Sequence, residues 1–426
     1  MVKETVQESW VKRAKGVLAG GGFGNFDPNI IISEGRGARV KDENGVEYID
    51  YLIGSGPLIL GHAHPEVMNS VGEQLKNGTS FFANNSSAIA LAEEICSAVV
   101  CAERVRYVST GSEAGMYAMR LARAYTGRDI ILKFEGGFHG MSADALMSLA
   151  PVRLENFPLA VSDSAGIPDN VRDHILVAPF NDADFARQIV SEYGERIAGV
   201  IVEPLQRLIE PVPGFLETLR DITSEFGIVL IFDEVVTGFR LAYGGAQERY
   251  GVIPDLCTLG KIVGGGFPLS AIAGSAEIMA HFDKEEVGEA AFVFQNGTLS
   301  GNPVAAVAGL KTLEILRRPG SYERLKSSGN RLIEGIKESL SKVSIPHQIV
   351  GDPVMFDVVF VNGAVKDYRD ILRSDSKRLK NFNLQLRKQN VLKSDNKFYI
   401  SLALTEDDLF FTLNAVSQAA RSLTQG

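Results

Sequence analysis

Two residues set the chemistry that this chain could do: an acid at the end of an apolar run, and a lysine among glycines. The stretch Ile228 to Phe232 is continuously apolar, as a strand buried on both faces should read, and it ends in Asp233 and Glu234. Twenty-eight residues after Asp233 comes Lys261, in Thr258-Leu259-Gly260-Lys261, followed by Gly264-Gly265-Gly266 and Pro268. Pyridoxal phosphate chemistry uses such a pair. The lysine forms the Schiff base, and the acid keeps the pyridine nitrogen protonated so that the ring can take up electrons. Alone, each residue reads equally well as a solvated strand-end acid or a surface lysine.

Other candidates follow from local pattern. Ser109-Thr110-Gly111-Ser112-Glu113 joins a strand at Val105–Val108 to a helix with apolar spacing at Met116, Met119, Leu121 and Ala124. The free N–H groups of such a junction, at the positive end of a helix, suit a phosphate. Phe138, after Gly136-Gly137, could lay an aromatic face on a planar ring. The segment Phe294–Pro303 is a polar, glycine-broken loop of the kind that contacts a ligand or a partner subunit. His62 and His64 have metal-pair spacing, but no acid or cysteine follows at helical spacing, so a turn into a helix Pro65–Asn77 is the better account and no metal is expected.

The elements that must position these residues alternate. From about residue 86 to 315, helices alternate with short apolar strands (105–108, 130–134, 198–204 and 228–232), which predicts a mostly parallel central sheet with helices on both faces. The candidate groups fall at the carboxyl ends of those strands, where open α/β sheets bind ligands. Before this region come a helix over Val6–Leu18 and a hairpin, Ala38–Val40 and Glu47–Leu52, around Asp42-Glu43-Asn44-Gly45. After it, helices over 321–342 and 366–388 flank strands at Gln348–Val350, Phe356–Val361 and Lys397–Leu402. The reading is a large domain over 61–315 and a smaller α/β domain built from 1–60 and 316–426.

Composition bounds the partners. The chain has 426 residues, 45% hydrophobic, enough for a large core. A net charge of −9 argues against nucleic acid, and the basic stretch 366–390 reads as solvated helix faces. No apolar run reaches membrane-spanning length, the first residues lack a signal-peptide core, and three cysteines show no metal or disulfide spacing. A cytoplasmic protein with no membrane partner is expected.

On the segments YIDY, GSGPLILGHAHP, STGSEAGMYAMRLARAYTGR, FEGGFHGMSADAL, VIVEP, IFDEVVTGFRLAYGGAQERYGVIPDL, TLGKIVGGGFPLSAIAG and GTLSGNP, the chain resembles the class III (subgroup II) aminotransferases of fold type I. The likeness lies nearest the branch containing glutamate-1-semialdehyde 2,1-aminomutase. It implies pyridoxal 5′-phosphate as cofactor, with Lys261 as Schiff-base lysine and proton shuttle and Asp233 on the pyridine nitrogen. Gly111 and Ser112 would hold the phosphate, Phe138 would stack on the ring, and His139 and Glu203 would shape the site. Thr298 would reach the phosphate held by the other subunit, which implies a homodimer with active sites at its interface.

Departures from the family bear on the substrate. Ornithine- and GABA-type members carry a glutamine where this chain has Val236, which sets it beside the aminomutase. Yet the aminomutase's tryptophan is Ser55 here, its ring tyrosine is Phe138, and its Ala-His-Thr is Ala403-Leu404-Thr405. Losing both aromatics' bulk and hydroxyl opens and dries the pocket. That favours a ping-pong aminotransferase passing nitrogen from a β- or ω-amino acid to a keto acid, with the intramolecular aminomutase second. Arg36, Arg39, Arg207 and Arg240 are the arginines that could clamp a substrate carboxylate.

Overall fold

A computed structural model describes residues 5–424. Its centre is a seven-stranded sheet made from β4 (Arg104–Val108), β5 (Ile130–Phe134), β6 (Ile175–Ala178), β7 (Ile197–Val202), β8 (Val229–Glu234), β9 (Leu256–Leu259) and β10 (Ser270–Gly274), in the order β4-β10-β9-β8-β7-β5-β6. The strands from β9 to β6 are parallel, and β10 runs antiparallel to both β9 and β4. The sheet is therefore mostly parallel, with one reversed strand that short-run periodicity could not orient.

Strand alternation decides what faces the site. In β8, Leu230 and Phe232 pack into one apolar cluster while Val229 and Ile231 pack into the other, which holds the inner face of the helix Gly111–Thr126. With a side-chain period of two, Asp233 lies on the same face as Ile231, toward that helix. Residues that are far apart in sequence are thereby aimed at one strand end.

Two smaller sheets flank this one. β1 (Ile32–Arg36), β2 (Arg39–Asp42) and β3 (Glu47–Asp50) form an antiparallel meander that takes β13 (Val391–Leu392) in parallel beside β3. β11 (Gln348–Asp352), β12 (Met355–Val359) and β14 (Phe398–Tyr399) form the third sheet. β1 went unanticipated because Ser-Glu-Gly-Arg carries no strand pattern; pairing with β2 alone makes it one. The helix expected over 366–388 is two, Tyr368–Leu372 and Ser376–Lys388, broken where Asp375 caps the second by accepting from the Arg378 amide at 2.9 Å.

The lysine's own support is a backbone contact. Lys261–Gly264 forms a 3-10 turn, and the helix Pro303–Leu316 lies directly on it. A Cβ on Gly309 would come within 2.1 Å of the Val263 carbonyl oxygen, and one on Gly265 (φ +58) within 2.5 Å of Ala308 backbone. Gly309→Ala should therefore push helix and turn apart at a cost of about 1–3 kcal/mol. The expected result is a lower thermal midpoint, and an unchanged midpoint would mean that this contact does not hold the turn.

Among the described residues, no helix is long and apolar enough to cross a membrane, and no group of His, Cys, Asp and Glu side chains could hold a metal. His62 instead donates through Nε2 to Asp50 Oδ2 at 2.7 Å.

Candidate active site

One cavity of about 410 Å³ collects most of the residues singled out by sequence. Gly111, Ser112, Phe138, His139, Glu203, Asp233 and Lys261 all line it, with Pro57, Val235, Val236 and the 266–270 segment completing the wall. They come from the ends of β4, β5, β7 and β8, the strand ends that the alternation predicted, and of β9, which it did not.

Asp233 is held from three directions. Its Oδ2 accepts from His139 Nδ1 at 2.8 Å, and its Oδ1 accepts from Thr258 Oγ1 at 2.9 Å and the Val235 amide at 3.2 Å. A carboxylate offers about four lone-pair positions, so one is left over on the cavity side. Thr258 sits directly opposite Asp233 in the β8–β9 register, and sequence reading gave it no role. The available signal was a threonine inside an otherwise apolar strand.

At the other end, Thr110 caps the helix Gly111–Thr126. Its Oγ1 accepts from the Glu113 amide at 3.2 Å, while Glu113 Oε2 accepts from the amides of Ser109 and Thr110 at 3.0 and 2.8 Å. This reciprocal capping leaves the amides of Gly111 and Ser112 without an acceptor among the described residues, at the positive helix end. Gly111 is needed there: a Cβ would come within 2.9 Å of Val235 Cγ1.

Lys261 takes φ +50, a left-handed conformation costing about 1–3 kcal/mol that persists only where the surroundings impose it. Burial pushes its amine below the ordinary lysine value; Lys397 and Arg240 add to this, while Tyr399 and Asp233 oppose it. The amine is thus more available as a nucleophile and base than a solvated lysine. Phe138 is half-exposed to the cavity, its amide donating to Glu203 Oε2 at 2.8 Å, with the Arg207 guanidinium 5.4 Å from its ring centre.

The remaining candidates lie elsewhere. Thr298 is exposed, in a loop where its carbonyl accepts from Ser80 Oγ at 3.4 Å. Arg36 lines a separate cavity with His62, His64, Arg318 and Arg324. The structure does not bring Arg39 to the site: it pairs with Glu47 and Asp408 at 2.7 and 2.6 Å. Arg240 is fully buried beside Gly56, and Ser55 is exposed and not in the cavity lining.

Within one volume the molecule offers anion-binding amides, a fixed carboxylate with a spare acceptor site and a buried amine. That set fits pyridoxal phosphate in its three reactive parts: phosphate, ring nitrogen and aldehyde.

Known proteins agree with that fit. The profile of the class-III aminotransferase family matches residues 24–390. The chain is 42% identical to glutamate-1-semialdehyde 2,1-aminomutase of Methanothermobacter thermautotrophicus, covering 98% of this chain and 99% of that one. It is 44% identical to the same-named protein of Desulforudis audaxviator, covering 94% and 92%. Among solved structures it is similar to an omega-transaminase from Sphaerobacter thermophilus, with a TM-score of 0.93 and 33% identity over 99% of both chains.

Proposed function

This chain belongs to the class-III aminotransferases, enzymes that depend on pyridoxal phosphate, and on that premise we propose that it moves an amino group within one substrate, as a glutamate-1-semialdehyde 2,1-aminomutase. The observation that carries the reading is 42–44% identity to three relatives so named, each over more than nine-tenths of both chains. This reverses the order drawn from Ser55 and Phe138 alone. Transfer between a β- or ω-amino acid and a keto acid is the second reading. Its support is those two departures and the likeness to an omega-transaminase.

When bound, pyridoxal phosphate supplies the carbonyl that condenses with amines and the ring that disperses carbanion charge. The chain's residues do the rest. The amides of Gly111 and Ser112 would hold the phosphate, and the spare lone pair of Asp233 would accept from the ring nitrogen. His139 and Thr258 keep that carboxylate in place, and Phe138 would cover a ring face. Lys261 Nζ, whose proton affinity burial lowers, would take the substrate's Cα proton and return it one position along.

The homodimer belongs to the same proposal. Thr298 is exposed and does not line its own chain's cavity, and it lies in a neighbourhood where Phe81, Phe82, Ile89, Phe294 and Leu299 are all exposed. Exposed apolar side chains gathered around a polar loop suit a subunit interface. Thr298 would there complete the partner's phosphate site.

The two readings separate on one measurement. Glutamate semialdehyde should be isomerised by the loaded protein with no keto acid added. If that substrate is inert, and a β- or ω-amino acid is consumed only when a keto acid is present, the aminomutase reading is lost to the second.

A further inference from the structure

Two buried polar atoms at the cofactor cavity have no partner among the described residues: His139 Nε2 and Gln206 Oε1. Both side chains are enclosed, His139 at 1% exposure and Gln206 at 0%. Buried polar atoms of a folded protein are almost always hydrogen-bonded, so each of these needs a partner. His139 lines the cavity and holds Asp233, whereas Gln206 lies behind it, on the turn that follows β7.

The two atoms border one spot. Gln206 opens a tight turn whose ends bond each other, its amide donating to the Ile209 carbonyl at 3.0 Å and the Ile209 amide donating back at 2.8 Å. Arg207 (φ +52) and Leu208 (φ +82) make the turn; two successive left-handed residues, neither a glycine, persist only where the surroundings impose them. The Gln206 side chain then donates through Nε2 to the Glu135 carbonyl at 2.9 Å. A carbonyl only accepts, so the NH₂ group faces Glu135 and Oε1 is turned the other way. A Cβ on Gly137 would stand 3.2 Å from that Oε1, 3.0 Å from His139 Nε2 and 3.0 Å from the Phe134 carbonyl oxygen. The Phe134 oxygen is already served by the Gly137 amide at 3.0 Å, which leaves the other two unmet.

We propose that Gln206 is a positioning residue for Asp233, acting through one buried water and His139. The water donates one proton to Gln206 Oε1 and the other to His139 Nε2, so two waiting acceptors meet two protons. With Nε2 accepting, the single proton of the imidazole is confined to Nδ1, which donates it to Asp233 Oδ2 at 2.8 Å. Glycine at 137 belongs to the arrangement, since a side chain there would crowd the same polar atoms. The inference rests on the reading of Asp233 as the partner of the cofactor's ring nitrogen.

The other placements of that proton show what the water prevents. A proton on Nε2 alone would turn a bare Nδ1 lone pair on Asp233, and the carboxyl would have to take up a proton itself to keep the contact. It would then present no full negative charge to a ring nitrogen. Protons on both nitrogens would set a buried cation against the carboxylate, in competition with the ring. With one water proton held by Gln206 Oε1, the other is directed at Nε2, and both placements are disfavoured.

The test compares the cofactor-loaded full chain with Gln206→Met, which keeps length and burial but removes the acceptor. Both carry nitrogen-15 in their six histidines and are read by NMR. In the wild type the His139 ring, identified by its loss in His139→Gln, should carry a slowly exchanging proton on Nδ1 and none on Nε2. In Gln206→Met that proton should exchange with solvent about tenfold faster, and kcat should fall about tenfold with KM unchanged. A wild-type proton on Nε2, or an unmoved exchange rate in Gln206→Met, overturns the proposal. If that variant does not fold, a high-resolution crystal structure of the wild type decides. An ordered water within hydrogen-bond reach of both His139 Nε2 and Gln206 Oε1 is expected, and its absence overturns the proposal equally. Failure here leaves Asp233 in its role, whereas a wild-type rate in Asp233→Asn would remove the premise itself.

Discussion

Lys261→Ala is expected to fold normally, to bind pyridoxal phosphate without fixing it, and to lose turnover by at least about 10³–10⁴-fold. The fold should survive because alanine at φ +50 bears the same backbone strain as lysine, and the helix over the turn touches backbone, not the lysine side chain. The chemistry should not survive, since among the described residues no other amine lines the cavity to condense with the aldehyde or to carry the Cα proton. Lys133 is buried in β5, but its ammonium is spent on the carbonyls of Ala145 and Met147 at 2.8 and 2.5 Å. Three readings make the test specific. Borohydride should attach the cofactor covalently to Lys261 in the wild type and nowhere in the variant. Thermal midpoints should stay close, and added small primary amines should restore part of the rate. Wild-type turnover in Lys261→Ala would end the assignment.

What sequence could reveal here depends on how locally each feature is written. Asp233 and Lys261 were legible because an apolar run ending in acid, and a lysine beside consecutive glycines, are patterns within a few residues. The Gly111–Ser112 junction was legible for the same reason: a cap and a capping glutamate three residues on announce a helix start. The partners of those residues were not legible. Thr258 reaches Asp233 only because β9 lies beside β8 in that register, and Tyr399 meets Arg240 only because β14 is carried back toward the Gly54–Pro57 turn. Such pairings depend on strand order, which no window of sequence contains.

Charged residues were the weakest guide for the opposite reason. Arg36, Arg39, Arg207 and Arg240 look alike in sequence, and their environments differ completely. Arg39 is neutralised by two carboxylates, Arg207 rests on Phe138, Arg240 is sealed in without a carboxylate, and Arg36 faces another cavity. Ser55 carries the same lesson. Its small size suggested an enlarged pocket, whereas the residue is exposed and does not line the cavity. The likeness to aminomutases across the whole chain therefore outweighs a volume estimate made at one position.

Asp233→Asn is the second large effect, expected to lower the rate by on the order of 10³-fold, about 4 kcal/mol of transition-state stabilisation. The side chain keeps its size, so the apolar packing of β8 should be untouched. Its hydrogen bonding cannot be kept, because every neighbour is a donor: His139 Nδ1, Thr258 Oγ1 and the Val235 amide all point at carboxylate oxygens. An asparagine that kept its carbonyl toward Thr258 and Val235 would turn its NH₂ toward His139 and the cavity. No negative charge would then face the ring nitrogen, which would lose its proton and with it the ring's capacity for carbanion charge. The measurement is the single-turnover rate with saturating cofactor, alongside a thermal midpoint that should move little. A rate equal to wild type would mean that another acid serves the ring. Among the described residues, Glu203 is the only other carboxylate in the cavity lining. Its Oε2 is already committed to the Phe138 amide at 2.8 Å, so serving the ring would require releasing Phe138. Glu203→Gln in the Asp233→Asn background would expose that rescue, as a further collapse in rate that the single Glu203→Gln change should not produce.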